Sequence, residues 1–148
     1  MKIYKIALGC DHAGYATKEN IKSYLEELGY AIRDFGTYSE ESVDYPDYVH
    51  PLAKSVENGD YNFGIIFCGS GNGVNIVANK YQGIRSALCW TDEIACLARQ
   101  HNNANVCAIP ARFLDIHDVK KIVKTFIESV FEGGRHSNRV DKIPIKHA

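Results

Sequence analysis

The sequence predicts an α/β fold: a three-layer α/β/α sandwich built on a five-stranded, mostly parallel sheet, with a C-terminal arm. Short apolar stretches typical of buried strands alternate five times with stretches of helical periodicity. That alternation is the pattern of parallel strands joined by crossover helices. One central apolar stretch also runs directly into a glycine-rich loop, and open α/β sheets form their binding sites at the carboxyl ends of strands.

Length and composition predict one domain in a reducing compartment. The chain has 148 residues and a formal net charge of -1, which gives no general attraction to nucleic acid or to a membrane surface. No apolar stretch approaches the ~20 residues of a membrane-spanning helix. Five cysteines without C-x-x-C spacing, and an N-terminus without the apolar region of a signal peptide, predict reduced thiols and a cytoplasmic location.

The first part of the chain predicts a strand, a helix and a second strand. The strands are expected at Ile3–Leu8, where apolar and polar residues alternate before an apolar run, and at Tyr30–Phe35. The helix between them has apolar residues three and four positions apart and ends at Gly29. Its apolar face consists of Ile21, Leu25 and Leu28.

A loop rich in Ser, Glu, Asp and Tyr is expected over 36–48. Pro46 disfavours helical backbone at Tyr45, so the next helix is expected to be capped by Asp47. The side chains of Asp44 and Tyr45 can hydrogen-bond the hydroxyls of a polyol, or they can serve as capping and packing groups. The sequence leaves both interpretations open.

The central stretch combines a buried strand, a glycine-rich turn and the start of a helix. Phe63–Phe67 is a continuous apolar run, typical of a parallel strand covered on both faces. Cys68 follows it, and Gly69, Gly71 and Gly73 then let backbone N–H groups approach an anion closely. A cysteine at this loop can act as a base or a nucleophile. The alternative is a loop for a nucleotide phosphate, with a thiol that takes no part.

The second half of the chain predicts two further strands and three helices. A short buried helix is expected over Val74–Ala78, strands over Ile84–Trp90 and Val106–Ile109, and a helix from Thr91 to about His101. The last helix has the clearest periodicity, with apolar residues three and four positions apart. Its apolar positions are Val119, Ile122, Val123, Phe126, Ile127, Val130 and Phe131.

Beyond the last helix, Gly133-Gly134 predicts the start of an extended C-terminal arm without a helix of its own. Arg135 and Arg139 on this arm suit bidentate binding of a phosphate, and the alternative is solvated surface charge. Apolar residues then alternate with polar ones, as in a segment that docks on another surface, often a neighbouring subunit. They are Val140, Ile143 and Ile145.

Right-handed crossovers place every strand-to-helix loop at one edge of such a Rossmann-like sheet. Asp11 and His12 follow the first strand, where a helix cap and an exposed surface residue are the respective alternatives. His101 lies at the C-terminus of a helix, where the dipole favours a cation, and a simple capping histidine is the alternative. The residues expected to line one rim are Asp11, His12, Asp44, Cys68–Gly73 and Arg112.

Several motifs of this chain resemble those of the type B ribose-5-phosphate isomerases, nearly end to end and in the family's order. Ser70 stands where many relatives have threonine, so the hydroxyl is kept. One subgroup of the family uses a glutamate just after the glycine loop as its base and lacks the cysteine. This chain has Cys68, and Val74 follows the loop, so it resembles the subgroup whose base is a thiolate. The motifs are Gly9–Gly14, Asp44–Pro46, Cys68–Gly73, Ala78–Lys80, Gly83–Arg85, Arg99–Asn102 and Glu132–His136.

The resemblance implies that residues 1–148 form a single sugar-phosphate isomerase domain. It would interconvert ribose 5-phosphate and ribulose 5-phosphate through an enediolate, in the pentose phosphate pathway of carbohydrate metabolism. The implied roles are Cys68 as the base, His101 in ring opening and the N–H groups of Gly69, Gly71, Asn72 and Gly73 at the enediolate oxygen. The implied phosphate contacts are His12, Arg112, Arg135 and Arg139. The residues left for sugar hydroxyls and proton relay are Asp11, Asp44, Tyr45, Ser70 and Asn102.

The family resemblance also implies partners. The expected ligand is a small sugar phosphate, with no nucleic acid, membrane, metal or nucleotide cofactor required by the chemistry. The expected assembly is a homodimer or tetramer with active sites shared between subunits. His101 and the arginine arm would complete the Cys68 pocket of a neighbour.

Four alternatives remain for the function. An isomerase of a six-carbon sugar phosphate, such as allose 6-phosphate or galactose 6-phosphate, has the same requirements. A non-catalytic sugar-phosphate binding module would keep the arginines but needs no cysteine at the loop. A cysteine hydrolase would use a thiolate and a histidine but does not explain the basic arm. A dinucleotide-binding oxidoreductase is disfavoured because the glycine loop is not G-x-G-x-x-G and follows the third strand.

Overall fold

The computed structural model describes residues 3–146 and contains one five-stranded sheet between two layers of helices. The strands are β1 Lys5–Cys10, β2 Ala31–Asp34, β3 Phe63–Cys68, β4 Ser86–Leu88 and β5 Val106–Pro110. The helices are α1 Tyr15–Glu27, α2 Tyr45–Glu57, α3 Asn72–Ala78, α4 Asp92–Asn102, α5 Ile116–Glu128 and α6 Arg135–Asp141. A 3-10 turn covers His12–Gly14 between β1 and α1. The predicted α/β sandwich is therefore confirmed.

The sheet is entirely parallel, with the strand order β2-β1-β3-β5-β4. From β1 the chain first adds β2 on one side and then crosses to place β3 on the other side. The carboxyl ends of β1 and β3 therefore diverge into loops that run to opposite faces, and such a switch point leaves a crevice. The register pairs Cys10 with Phe67 and Cys68 with Pro110, which brings three strand ends to one edge.

Two apolar layers hold the helices on the sheet. Helices α1, α4 and α5 pack on one face, where Leu25, Ala95 and Phe126 are buried with the side chains of β3 and β5. Helices α2 and α3 pack on the other face through Leu52 and Val74. Every residue of β3 and of β5 is buried, as expected of central parallel strands covered on both sides.

Several predicted boundaries differ from the structure, and β1 is observed at Lys5–Cys10 where Ile3–Leu8 was predicted. Helix α2 begins at Tyr45 with Asp44 in the N-cap position, so the prediction that Asp47 caps it was wrong. Pro46 stands in the first turn, where a missing N–H costs no hydrogen bond, and Asp47 places a carboxylate near the positive end of the helix. Strand β4 covers only three residues of the predicted Ile84–Trp90, and among the described residues it lies at an edge of the sheet and pairs with β5.

The prediction of an extended C-terminal arm without a helix was also wrong. Gly133 and Gly134 have φ of 68° and 54° and turn the chain directly into α6. Helix α5 ends at Glu128, so Val130 lies beyond it and is 72% exposed. Helix α6 is short and mostly polar, and it packs against α4, so tertiary contact and not periodicity determines it.

Two of the apolar residues predicted on the arm lie beyond α6, where Ile143 and Ile145 are exposed. Within residues 3–146, none of the helices has both the length and the apolar character needed to cross a membrane.

Candidate active site

A cleft of about 510 Å³ opens at the carboxyl edge of the sheet, at the switch point between β1 and β3. It brings together residues from the loops after β1, β3 and β5 and from the start of α2. Its lining residues are Asp11, His12, Ala13, Tyr45, Cys68, Gly69, Ser70, Gly73, Arg112 and Phe113. Ala13 and Phe113 were not singled out in the sequence. The position of Phe113 next to Arg112, in the loop after the predicted strand Val106–Ile109, was the signal that could have found it.

The loop after β1 orients two polar side chains at the cleft. Asp11 Oδ1 accepts hydrogen bonds from the N–H groups of Ala13 and Gly14, at 3.0 and 3.1 Å. Asp11 is therefore a cap, as its alternative reading had it, and still lines the cleft. His12 Nδ1 accepts a hydrogen bond of 3.2 Å from the N–H of Val43. The neutral His12 ring therefore carries its proton on Nε2 and can donate from there to an anion.

Two glycines allow the close packing that builds the cleft. A Cβ at Gly14 would lie 2.6 Å from the carbonyl oxygen of Phe67, so only glycine lets the 3-10 turn lie directly on β3. A Cβ at Gly73 would lie 2.5 Å from Cζ of Tyr45. The side chain of Tyr45 therefore lies against the first turn of α3, beside the glycine loop.

The loops after β3 and β5 are joined by backbone hydrogen bonds. The N–H of Ala111 donates to the carbonyl of Cys68 at 2.9 Å, and the N–H of Arg112 donates to the carbonyl of Gly69 at 3.0 Å. The Arg112 side chain consequently lies over Gly69, where a Cβ would meet its Cδ at 3.1 Å. A guanidinium is thus held directly above the glycine loop that begins at the Cys68 thiol.

The glycine loop itself turns sharply into α3. Gly71, in the N-cap position, has φ of 75°, and a Cβ there would lie 2.5 Å from Cδ1 of Leu88. Ser70 Oγ accepts a hydrogen bond of 3.3 Å from the N–H of Asn72. The first N–H groups of a helix have no carbonyl partner within it. The loop therefore presents backbone donors next to Cys68.

Cys68 is distinguished from the other four cysteines by its position on the cleft. Burial raises the pKa of the Cys10 thiol to about 12, although the charge of Lys18 acts in the opposite direction. Burial also raises the pKa of Cys107 well above its usual value, and the neighbouring thiol of Cys89 adds to the effect. Cys10 and Cys107 are therefore packed as neutral thiols.

Asp44 lies one residue outside the cleft. It occupies the N-cap position of α2, its side chain accepts no capping hydrogen bond, and it is exposed. Its neighbour Tyr45 lines the cleft. The Asp44 carboxylate is therefore free to turn toward a molecule bound beside Tyr45.

Seven of the predicted site residues are not among those that line this cleft in the described part of the chain. Asp44, Gly71 and Asn72 lie next to lining residues in the sequence. The other four are His101, Asn102, Arg135 and Arg139. They lie at the C-terminal end of α4 and on α6. Asn102 contributes to a separate cleft of about 210 Å³ together with Arg85 and Ile143. Within one chain, the predicted site residues thus form two separate groups.

His101 belongs to a small cluster with Glu132 and His136. The two imidazole rings are stacked with centroids 4.3 Å apart, and Nε2 of each lies 3.5 Å from Glu132 Oε1. Burial, with the positive charges of His101 and Arg135, lowers the pKa of His136, while Glu132 opposes the shift. His101 does not simply cap its helix, because its ring faces Glu132. No role was predicted for Glu132 or His136, although both lie in a recognised motif.

Comparison with known proteins agrees with this geometry. Residues 6–143 match the family described as Ribose/Galactose Isomerase. The chain belongs to the ribose/galactose isomerase family. The resemblance predicted from the motifs is therefore confirmed, and with it the fold expected of the family.

Relatives within the family match almost the full length. The chain is 43% identical over 139 residues to Ribose-5-phosphate isomerase B of Escherichia coli K12, covering 94% of this chain and 93% of the relative. A crystal structure of a ribose 5-phosphate isomerase from Thermotoga maritima has a TM-score of 0.94 at 48% identity, covering 95% of this chain and 97% of that one.

A second family structure contains a ligand. Ribose-5-phosphate Isomerase B from Mycoplasma genitalium, solved with bound ribulose-5-phosphate, has a TM-score of 0.90 at 40% identity. The match covers 94% of this chain and 93% of that chain.

Proposed function

We propose that this chain is an aldose–ketose isomerase that interconverts ribose 5-phosphate and ribulose 5-phosphate. The observation that carries the proposal is the cleft in which the Cys68 thiol, the glycine-loop N–H groups and the Arg112 guanidinium meet. Family relatives over nearly the whole chain carry the name ribose-5-phosphate isomerase B, and one of them was solved with bound ribulose-5-phosphate. The reaction belongs to the pentose phosphate pathway.

The proton transfer is assigned to the Cys68 thiolate. Isomerisation moves a proton between C2 and C1 through an enediolate, so a base must reach both carbons. Cys68 lies at the end of the rigid central strand and lines the cleft. A positioned general acid or base contributes about 10²–10⁴-fold to the rate. Asp44 and Ser70 are the candidate relays between substrate oxygens and water.

The enediolate oxygen is assigned to the backbone N–H groups of Gly69, Gly71, Asn72 and Gly73. Gly69 and Gly71 are fixed before the substrate binds, because Gly69 is joined to the β5 loop and Gly71 begins α3. The N–H of Asn72 donates to Ser70 Oγ at 3.3 Å and would exchange this bond for the enediolate oxygen. Preorganised donors stabilise developing negative charge without reorganising during the reaction. Arg112 adds a positive charge over the same loop.

Two groups in the cleft suit the rest of the substrate. His12 Nε2 and the Arg112 guanidinium are assigned to the phosphate, since each can donate a hydrogen bond to an anion. Asp11 and Tyr45 are assigned to sugar hydroxyls. Both line the cleft, and Gly73 holds the Tyr45 ring close to the loop.

The site is proposed to be completed by a second subunit. A furanose must open before C2 can lose its proton, and His101 is the proposed ring-opening group. His101 lies outside the Cys68 cleft, in the second group of predicted site residues, which also contains Asn102, Arg135 and Arg139. A two-fold homodimer would bring this second group of residues to the Cys68 cleft of the partner subunit. The exposed side chains of Ile143 and Ile145 would be covered by such a contact, each stabilising it by up to ~1.5–3 kcal/mol.

The proposal includes a cytoplasmic location. All five cysteines are free thiols, which suits a reducing compartment.

A coupled isomerase assay over phosphorylated pentoses and hexoses tests the substrate assignment. The expected result is a kcat/KM for ribose 5-phosphate well above those for allose 6-phosphate and galactose 6-phosphate. A reversed order would replace ribose 5-phosphate by the six-carbon substrate. Binding of all of them without turnover would leave only a sugar-phosphate binding module.

Mixing two inactive variants tests the shared site. Cys68→Ala removes the proposed base, and Arg139→Ala removes a proposed phosphate contact from the partner. After subunit exchange, one of the two sites of each hybrid dimer would contain both native groups, so activity should return. Verified exchange without any return of activity would mean that α6 serves its own subunit.

A further inference from the structure

The cluster of His101, Glu132 and His136 contains the ligand set of a metal site. Its three candidate ligand atoms lie within 4.8 Å of one another. No hydrogen bond within the described residues 3–146 involves any of the three side chains, and the 3.5 Å separations from the carboxylate are long for such bonds. The His136 side chain is nine-tenths buried and faces this group. Three ligating groups thus converge through ring stacking and two ion pairs of 3.5 Å, without a hydrogen bond among them.

We propose that these three residues bind Zn²⁺ or a divalent cation of similar ligand preference. Zinc binds histidine nitrogens and carboxylate oxygens at about 2.0–2.2 Å in a tetrahedron, so its ligand atoms lie about 3.4 Å apart. Both separations between an imidazole Nε2 and Glu132 Oε1 are 3.5 Å, which already matches two edges of that tetrahedron. The two imidazoles are stacked at an interplanar angle of 11°, so both rings must rotate out of the stack before both Nε2 atoms can point at the ion.

The surrounding backbone favours a cation at this place. His101 is in the last turn of α4, where the carbonyl end of the helix dipole attracts positive charge. The N–H of Glu132 donates to the carbonyl of Gln100 at 3.0 Å, which fixes Glu132 to the same turn. Gly133 and Gly134 then turn the chain so that His136, four residues later, faces Glu132. Side chains from α4, α6 and the segment before α6 are thereby directed at one point.

The charges near the cluster select the kind of ion. Arg135 and Arg139 act on His136 with positive charge, and Glu132 is the cluster's single negative charge. A hard cation such as Mg²⁺ or Ca²⁺ depends on several oxygen ligands and carboxylates, so this site suits it poorly. Two imidazoles favour zinc and its neighbours in the transition series. Partial exposure of His101 and Glu132 gives the ion access and leaves a fourth position for water.

Metal binding would take His101 away from the reaction. An imidazole nitrogen that coordinates zinc cannot exchange protons with a sugar ring oxygen, so zinc would inhibit the isomerase. This consequence rests on the role proposed above for His101, whereas the site itself does not.

Calorimetric titration of the full-length, chelator-treated protein with zinc chloride tests the site directly. The expected result is one zinc ion per chain. Glu132→Gln and His136→Gln should each weaken binding by at least about tenfold. His117→Gln, which removes an exposed histidine in the first turn of α5, is the matched control and should bind as the wild type does. Magnesium chloride should give no competing heat.

Two results would overturn the site. One is no zinc binding to the wild type; the other is unchanged binding in Glu132→Gln, whose exposed side chain keeps its shape and leaves folding intact. If Cys68→Ala loses zinc binding while Glu132→Gln keeps it, the ion is bound by the Cys68 thiol and not by the cluster. In the isomerase assay, zinc should inhibit the wild type and not Glu132→Gln. Binding at the cluster without inhibition would contradict the link to His101 and leave the site standing.

Discussion

Replacing Gly73 by alanine tests how closely Tyr45 must approach the glycine loop. The new Cβ would lie 2.5 Å from Cζ and 2.7 Å from Cε1 of Tyr45, where ordinary contacts begin at 3.4 Å. The difference between 3.4 and 2.5 Å means that the ring must move by about 0.9 Å. Gly73 has no positive φ, so alanine fits its backbone without strain.

The expected effect is on activity and not on folding. Misplacing a positioning group by about 1 Å can lower the rate by up to ~10²-fold, so kcat/KM for ribose 5-phosphate should fall toward that limit. In α3 alanine is a better helix former than glycine by about 1 kcal/mol, which offsets part of the ~1–3 kcal/mol cost of overpacking. The free energy of unfolding measured in urea should therefore change by less than about 2 kcal/mol.

A double-mutant cycle decides whether the loss acts through Tyr45. Tyr45→Ala removes the ring that the new Cβ would strike, so Gly73→Ala should cost nothing further in that background. Steady-state kinetics of the four proteins gives the coupling. Full activity in Gly73→Ala, or an equal loss in both backgrounds, would refute the reasoning.

Three further predictions concern other groups. His101→Asn should lower turnover of cyclic ribose 5-phosphate more than that of a pre-opened aldose analogue, because ring opening is its proposed task. The free energy of unfolding should fall as the pH rises from 9.0 to about 12, since folded Cys10 keeps a proton that the unfolded chain loses. Asp34→Asn should cost about 3–5 kcal/mol in urea unfolding. It removes the buried carboxylate 2.7 Å from the fully buried Lys18 ammonium and leaves only the partly exposed Glu19 carboxylate, at 3.3 Å, as a charged partner.

Each of these predictions has a control. Equal damage with the pre-opened analogue would refute the role of His101. Cys10→Ala should show a shallower fall of stability in the same pH range, and an unchanged slope would contradict the assignment to Cys10. Lys22 is the partly exposed second partner of Asp34, at 3.4 Å. Lys22→Ala should lower the free energy of unfolding by at most about 1 kcal/mol. If Asp34→Asn and Lys22→Ala lower the free energy of unfolding equally, burial of the ion pair does not determine its contribution to stability.

Local patterns in the sequence were enough to predict the fold. The apolar run of β3 and the periodicity of α5 depend on burial of neighbouring residues, which the sequence carries directly. The loops after β1 and β3 follow from the parallel topology, so Asp11 and Cys68 could be expected at one edge.

Features set by tertiary contacts could not be predicted in the same way. Helix α6 is a seven-residue polar segment that depends on two positive-φ glycines and on packing against α4. The start of α2 was predicted too late in the chain because a proline such as Pro46 is compatible with the first turn of a helix as well as with a loop. The stacking of His136 on His101 joins residues from two helices, and no local signal indicates it.

Turnover of the Cys68→Ala variant tests the central claim most directly, because the proton transfer between C2 and C1 depends on a base in this cleft. With ribose 5-phosphate, kcat should fall by about 10²–10⁴-fold while KM changes little, since the thiolate acts in the transition state. Cys96→Ala, which removes a partly exposed thiol on α4, should keep normal kinetics. Near-normal turnover in Cys68→Ala would contradict the account and transfer the role of base to a carboxylate such as Asp44.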